Sequence, residues 1–375
     1  MTKKRYDLAI DCSRYATHAY TGVELYSREI VDGIIQFTLE HPEFRLLLFT
    51  KVPTFRNLPA NITEQVIDQK RLWTLIGLSW AILKDSRKIS KLFIPSHTLP
   101  LITPGRTYTT IHDVAFCAYP NAYSLIDRTY LYLTTWFSVL VCKRLIVPSE
   151  TTKNDLVRYF RANPERISVV SHGYTVKKED TQSGSLILSK YGLVPGKYSL
   201  FIGRIETKKN LMRMLDAFAM VSPMYPGYKL VCIGKDGHGA EEIHAHHQKL
   251  NTYIRESIIF TGYMKDEECS VLLKNAHTFM FTTLYEGFGF PILEGFEVHV
   301  PVITSNTTAS AEVAGDGALT VDPLNTQEIA NAIKQLIDNE SLRQELIKKG
   351  NERLKLYSWS KAVAETIRVL GIRDI

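Results

Sequence analysis

Residues 277–294 read HTFMFTTLYEGFGFPILE, and this stretch decides the fold. His277 to Thr283 is a short apolar run with the composition of a buried strand. Pro291 then opens a helical pattern, at a position where its missing N–H costs nothing. A strand therefore hands over to a helix here, which is where open α/β sheets keep their ligands. Gly287 and Gly289 allow close backbone approach, and free N–H groups at the helix start suit phosphate or sugar oxygens. Glu286 and Glu294, eight positions apart, can accept hydrogen bonds from sugar hydroxyls. The same residues also fit a tight strand-to-helix turn with a capping acid, and the motif alone does not choose.

Outward from this stretch, strand-like and helix-like runs alternate from end to end, the pattern of parallel sheets covered by helices. In the first half the expected strands are 6–11, 45–50, 91–96, 107–112, 145–149 and 167–172. A long amphipathic helix follows Thr21, whose hydroxyl suits a cap. Residues 174–197, YTVKKEDTQSGSLILSKYGLVPGK, turn polar and read as an interdomain linker. The second half restarts with strands at 199–203, 229–234, 258–262, 277–283, 300–304 and 319–322. At 375 residues the chain suits two domains. The reading is α/β, with two doubly wound domains in tandem and a ligand in the cleft between them.

A second constellation lies at residues 199–211, SLFIGRIETKKNL. A strand ends at Gly203 and presents Arg204, then Lys208 and Lys209, before a helix that Asn210 is placed to cap. Arginine binds phosphate bidentately and lysine adds a compact charge, so the group suits a diphosphate. It also fits a solvated turn, since charge runs usually face water. No P-loop pattern occurs around it.

Other features exclude more than they assign. The N-terminus lacks the apolar core and cleavage site of a signal peptide, which points to the cytoplasm. Five cysteines, Cys12, Cys117, Cys142, Cys232 and Cys269, have no paired spacing and read as small buried hydrophobes. A net charge of +6 is compatible with nucleotides, anionic lipid or nucleic acid. Nucleic-acid binding lacks a basic aromatic platform. Residues 125–147 are interrupted by charges and fall short of a spanning helix, so they read as a buried or interfacial helix followed by a strand. The aromatic and basic segments 71–91 and 128–144 fit core, or a face toward a membrane presenting a lipid acceptor. His244, His246 and His247 form a histidine cluster without an identifiable partner and read as a polar surface. Residues 236–239 are weakly Rossmann-like and read as a loop bordering the ligand.

With both constellations in view, the chain resembles family 4 of the retaining glycosyltransferases, and within it bacterial mannosyltransferases of cell-surface polysaccharide synthesis. The match runs from Gly22 through Ile111-His112-Asp113 and Val147-Pro148-Ser149 to Gly203-Arg204 and Lys209-Asn210. It continues through Glu286 to Glu294, residues 301–304 and 309–313, and Val321-Asp322-Pro323. The resemblance implies the GT-B fold: two Rossmann-like doubly wound domains facing a central cleft. Residues 1–175 would form the acceptor side and 176–357 the donor side, with a terminal helix at about 358–375 packing back onto the first domain.

The resemblance also implies roles. Arg204 and Lys209 would hold the donor diphosphate and Glu294 the ribose. Glu286, with the backbone of Phe288 and Gly289, would contact the donor sugar, and His112 would reach that sugar from the opposite domain. Gly22 and Gly203 would allow close approach to the phosphates, and the backbone near Tyr263 and Met264 would lie beside the base. The N-terminal loop has one glycine, Gly22, where many relatives have two. The implied reaction is hexose transfer with retention, with GDP-mannose as the first choice of donor and a glycan or lipid-linked glycan as acceptor. UDP-glucose, UDP-galactose, UDP-N-acetylhexosamine and dTDP-rhamnose stay open as donors. An epimerase or a noncatalytic nucleotide-sugar binding protein stays open as a rival. No cofactor and no metal are expected, since there is no Asp-x-Asp and the basic pair already supplies positive charge. The expected location is cytoplasmic, with the inner face of the membrane as a further option.

Overall fold

The computed structural model describes residues 5–15, 22–85, 88–175 and 184–372. The chain divides into two compact units. The first comprises Met1–Cys117, Leu125–Gly173 and Tyr357–Ile375, and the second Ala118–Ser124 and Tyr174–Leu356.

The first unit holds β1 (Leu8–Asp11), β2 (Leu46–Thr50), β3 (Ile62–Val66), β4 (Leu92–Ile94), β5 (Thr107–Thr110), β6 (Arg144–Val147) and β7 (Ile167–Val169). They form one parallel sheet in the order β3-β2-β1-β4-β5-β6-β7. Ile10 sits at the centre, opposite Leu48 on one side and Phe93 on the other. The inner strands are buried on both faces, which is why they read as nearly continuous apolar runs. Helix Trp359–Val369, capped by Ser358, packs on helix Gly22–Glu40. A Cβ at Gly33 would overlap Val363, and one at Gly173 would overlap the backbone of Trp359, so both glycines permit this close packing. Gly22 is the first residue of its helix; Thr21 and the rest of the expected capping loop lie outside the described residues.

The second unit holds β8 (Tyr198–Ile202), β9 (Lys229–Ile233), β10 (Ile258–Gly262), β11 (Thr278–Phe281), β12 (Val302–Ser305) and β13 (Leu319–Val321). Their order is β10-β9-β8-β11-β12-β13, again all parallel. Leu200 of β8 lies between Val231 of β9 and Phe279 of β11. Each sheet thus starts in its middle, grows one way for three strands, then reverses. This is the doubly wound order, with a switch point between β1 and β4 in the first unit and between β8 and β11 in the second.

All twelve expected strands are present, and β3 is an additional one. Its sequence, ITEQV, is half exposed because it lies at a sheet edge, so it lacks an apolar run. The segment expected as a linker also carries a helix, Gly184–Lys190, before β8.

Candidate functional site

The two constellations found in the sequence follow β8 and β11, the neighbouring strands at the switch point of the second unit. The connections that leave these two carboxyl ends run to opposite faces of the sheet, which opens a crevice between them.

The loop after β8 is held against the loop after β9. Gly203 N–H donates to Ile233 O at 2.9 Å, Ile205 N–H to Lys235 O at 3.0 Å and Thr207 N–H to His238 O at 3.0 Å. Gly234 allows this approach: its φ is +154°, and a Cβ there would overlap the Gly203 carbonyl. Residues 236–239 therefore border the basic loop, with Gly237 N–H donating back to Ile205 O at 2.9 Å. Arg204 leaves this frame with an exposed guanidinium that makes no hydrogen bond or ion pair among the described residues. A fork-shaped cation held on a fixed backbone is ready to meet an anion.

Asn210 occupies the N-cap position of helix Leu211–Val221, but it does not cap it with its side chain. It adopts φ +63° and donates from Nδ2 to Thr282 O at 2.9 Å and Pro323 O at 2.7 Å. A single buried amide thus ties the basic loop to the end of β11 and to the turn after β13. Asparagine tolerates the left-handed region better than most residues, so one side chain supplies both the conformation and the latch.

The latch brings the constellations together. Lys209 Nζ donates to Glu286 Oε1 at 2.7 Å, and each side chain is only 15 % exposed. The same ammonium lies 5.3 Å from the centre of the Phe281 ring. Exposed ion pairs contribute about 0–1 kcal/mol. With both partners largely shielded, deleting either leaves a poorly solvated charge, so this pair matters more for positioning than an exposed one.

Beyond Glu286 the chain turns at Gly289, φ +135°, into helix Phe290–Glu297, with Pro291 in its first turn. Phe288 is buried edge-on against Phe290, with ring centres 5.1 Å apart. Glu294 is half-buried on this helix. It lies close to Tyr174, whose phenol is pushed well above its ordinary range by burial and by the carboxylates of Glu294 and Glu297. Tyr174 O–H donates to Glu297. Met264 is buried after β10, and beside it Tyr263 is exposed under the Lys235 ammonium, 4.3 Å from its ring centre. Arg204, Lys209, Glu286, Phe288, Gly289, Glu294 and Met264 all belong to this unit.

The three rings of the histidine cluster point to three different partners. His244 Nε2 meets Asp236 Oδ1 at 2.9 Å, His246 Nε2 meets Asp216 Oδ1 at 2.6 Å, and His247 Nε2 meets Arg255 O at 3.1 Å. His244 and His246 thus have carboxylate partners, separate ones that the sequence did not reveal, and His247 meets a backbone carbonyl.

His112 lies in the first unit, after β5, and is 7 % exposed. Nε2 lies 3.1 Å from Pro95 O and Nδ1 lies 3.3 Å from His172 Nε2. A carbonyl only accepts, so His112 carries its proton on Nε2 and accepts at Nδ1 from His172 Nε2–H. His97 packs against the same ring at 5.4 Å, and Tyr26 meets it edge-on at 4.9 Å. Burial, with His97 adding to it, pushes the His112 imidazole down to about 3, and burial lowers His97 and His172 as well. His112 is therefore a neutral hydrogen-bonding group, not an acid at neutral pH. At the switch point of this unit, Ser13 and Arg14 after β1 and Ser96 and His97 after β4 line a cavity of about 550 Å³.

Several residues that shape the site were not legible as such in the sequence. Asn210 was visible only as a cap candidate, and Tyr174 and Lys235 carry no local signature. Tyr119, from the short segment grouped with the second unit, packs on Tyr285 at 6.1 Å. Nothing in its local sequence marked it.

Both units are of the doubly wound type, the two-domain organisation of the GT-B fold. Residues 190–353 match the family model described as "Glycosyl transferases group 1", which covers the second unit's site. The chain is 29 % identical over 267 residues to O-antigen chain mannosyltransferase B of Escherichia coli, covering 70 % of this chain and 69 % of that protein. It is 26 % identical over 315 residues to O-antigen chain mannosyltransferase RfbU of Salmonella typhimurium, covering 82 % and 83 %. Among solved structures it superposes on sucrose-phosphate synthase from Thermosynechococcus elongatus with a TM-score of 0.74 at 17 % identity, covering 98 % and 99 % of the two chains.

Proposed function

We propose that the protein transfers mannose from GDP-mannose, with retention of anomeric configuration and without a metal, to a glycan or lipid-linked glycan in cell-surface polysaccharide synthesis. The observation that carries this reading is the meeting of the two loops at one switch point. There the latched backbone brings the loop that carries Arg204 and Lys209 to Glu286, with Lys209 and Glu286 2.7 Å apart. The choice of mannose is supported by the O-antigen mannosyltransferases to which the chain is similar.

Cleaving the anomeric C–O bond leaves negative charge on the diphosphate oxygen and positive charge on the sugar. Arg204 and Lys209 stabilise the first, as preorganised cations that need no reorganisation when the charge develops. The N–H groups at the start of helix Phe290–Glu297 add to them. Glu286 accepts a sugar hydroxyl while Lys209 turns toward phosphate, and Glu294 accepts from the ribose. The acceptor attacks the face the diphosphate is leaving, and the leaving phosphate takes the acceptor's proton. No protein carboxylate needs to form a bond to the sugar.

Incubating the protein with GDP-mannose and a lipid-linked acceptor tests this, with the product linkage assigned by NMR. Release of GDP with a linkage of the donor's own anomeric configuration is expected. An inverted linkage contradicts retention, and a mannosyl adduct trapped on Glu286 replaces front-face attack by double displacement.

A further inference from the structure

The amino-terminal end of the first unit's sheet lies opposite its switch-point cavity. Three neighbouring strands are entered there through cations: Lys91 precedes β4, Arg106 precedes β5, and Lys143 and Arg144 open β6. Adjacent strands are about 4.8 Å apart, so the cations stand side by side. Lys91 registers their proximity: its ammonium is held below the ordinary value by burial, then by Arg106 and Lys143, with Asp7 offsetting a part. Arg368, near the end of helix Trp359–Val369, joins Lys143 and Arg144 around a cavity of about 450 Å³.

Exposed charges usually face water, and a basic run alone assigns nothing. Here Arg106, Lys143, Arg144 and Arg368 are exposed, and neither they nor Lys91 make an ion pair among the described residues. Lys91 Nζ donates to Gly371 O at 2.6 Å and Arg144 Nη1 to Glu165 O at 3.2 Å. Backbone carbonyls thus steady two of the cations without neutralising them. Among the described residues, no carboxylate lines the cavity.

A second observation points inward. Tyr108 lies opposite Arg144 in the sheet, and Ser168 lies opposite Ile146, so Tyr108, Arg144 and Ser168 share the face that lines the cavity. Tyr108 is 2 % exposed, yet its phenol makes no hydrogen bond among the described residues. Buried tyrosine hydroxyls usually have a partner. Burial raises this phenol, with Arg106 and Arg144 acting against it, so it stays a neutral donor.

We propose that this end of the first unit binds a linear polyphosphate, with Lys91, Lys143, Arg144 and Arg368 on its phosphates and the Tyr108 hydroxyl donating to one of them. Guanidinium forks take phosphate bidentately, and a row of cations suits linked phosphates better than a lone ion. Inorganic polyphosphate and the phosphate tail of a nucleotide share this chemistry. The site is separate from the donor site and does not depend on that reading.

Calorimetric titration of the full chain with orthophosphate, tripolyphosphate and GDP tests it, on wild type, Arg204→Ala and Arg144→Gln/Arg368→Gln. Arg204→Ala removes a cation of the donor loop and is expected to keep tripolyphosphate binding. Affinity should fall at least about tenfold in Arg144→Gln/Arg368→Gln, the size expected from losing charged hydrogen bonds, and orthophosphate should bind at least about tenfold more weakly. Binding should also weaken with salt. In Arg204→Ala, GDP as tight as tripolyphosphate identifies a nucleotide tail, and weaker GDP identifies the inorganic chain. Both substituted arginines are exposed, so the double variant keeps its thermal midpoint. Equal tripolyphosphate affinity in the double variant and wild type overturns the proposal. So does binding that is lost in Arg204→Ala but unaffected in the double variant, which places it at the donor loop. Tripolyphosphate binding that depends on Arg144 and Arg368 in a protein that GDP does not stabilise would sink the donor reading and leave this site standing.

Discussion

Arg204→Ala lowers kcat/KM for GDP-mannose at least about a hundredfold, roughly 3 kcal/mol of transition-state stabilisation. The guanidinium is exposed and makes no bond among the described residues, so its removal costs the fold nothing that the thermal midpoint would register. The loss is then chemical. Arg204→Lys keeps a charge but not the planar fork, and recovers only part of the rate. Lys209→Ala gives a loss of similar size with a different signature, because it also strands the largely shielded Glu286 carboxylate. Its midpoint falls with its rate. Steady-state kinetics beside thermal unfolding distinguishes the two variants. An Arg204→Ala enzyme within threefold of wild type would remove the diphosphate role.

Acidification destabilises the first unit. His97, His112 and His172 are buried together and held neutral, each below the ordinary histidine value of 6.5. The unfolded chain therefore binds more protons than the folded one between that value and the folded one. Stability is complete above pH 6.5 and is lost as the pH falls toward the folded value. For His112, whose folded value is about 3, the loss between pH 6.5 and 5 is about 2 kcal/mol. The two neighbours act in the same direction. Buried Asp11, whose carboxyl is raised, binds its proton more readily when folded and offsets part of the loss at the acid end. All four tryptophans, Trp73, Trp80, Trp136 and Trp359, belong to this unit, and Trp359 stacks on His172 with ring centres 6.3 Å apart. Tryptophan-detected melting at pH 7.5 and 5.0 thus reports the unit itself, and a midpoint unchanged between the two would contradict the neutral cluster.

The fold was largely legible because parallel strands are buried on both faces and so appear as apolar runs. Thr278–Phe281 and Tyr198–Ile202 could hardly be anything else. The edge strand Ile62–Val66 escaped because half-exposed polar strands look like loops. The candidate site was legible at its charged and glycine-rich residues, since Arg204, Lys209, Glu286 and Glu294 stand at strand-to-helix junctions. What joins them was not. Asn210 reads locally as a cap, and its real bonds, to Thr282 and Pro323, span 72 and 113 residues. His112 stood in a motif but gave no sign that His172, 60 residues on, would engage its ring. For the segments 71–91 and 128–144, core and an outward face both stayed open, because periodicity shows that a stripe exists but not which way it faces.

The most direct measurement is a thermal-shift series with GDP, UDP, ADP and dTDP on wild type and Glu294→Ala. A ligand at 100 times its Kd adds about 2.7 kcal/mol of stability, well within detection. GDP alone should raise the midpoint, and the shift should vanish in Glu294→Ala while that variant's own midpoint stays close to wild type. A well-folded protein whose midpoint responds to none of the four nucleotides would contradict a nucleotide-sugar site at the β8 and β11 switch point.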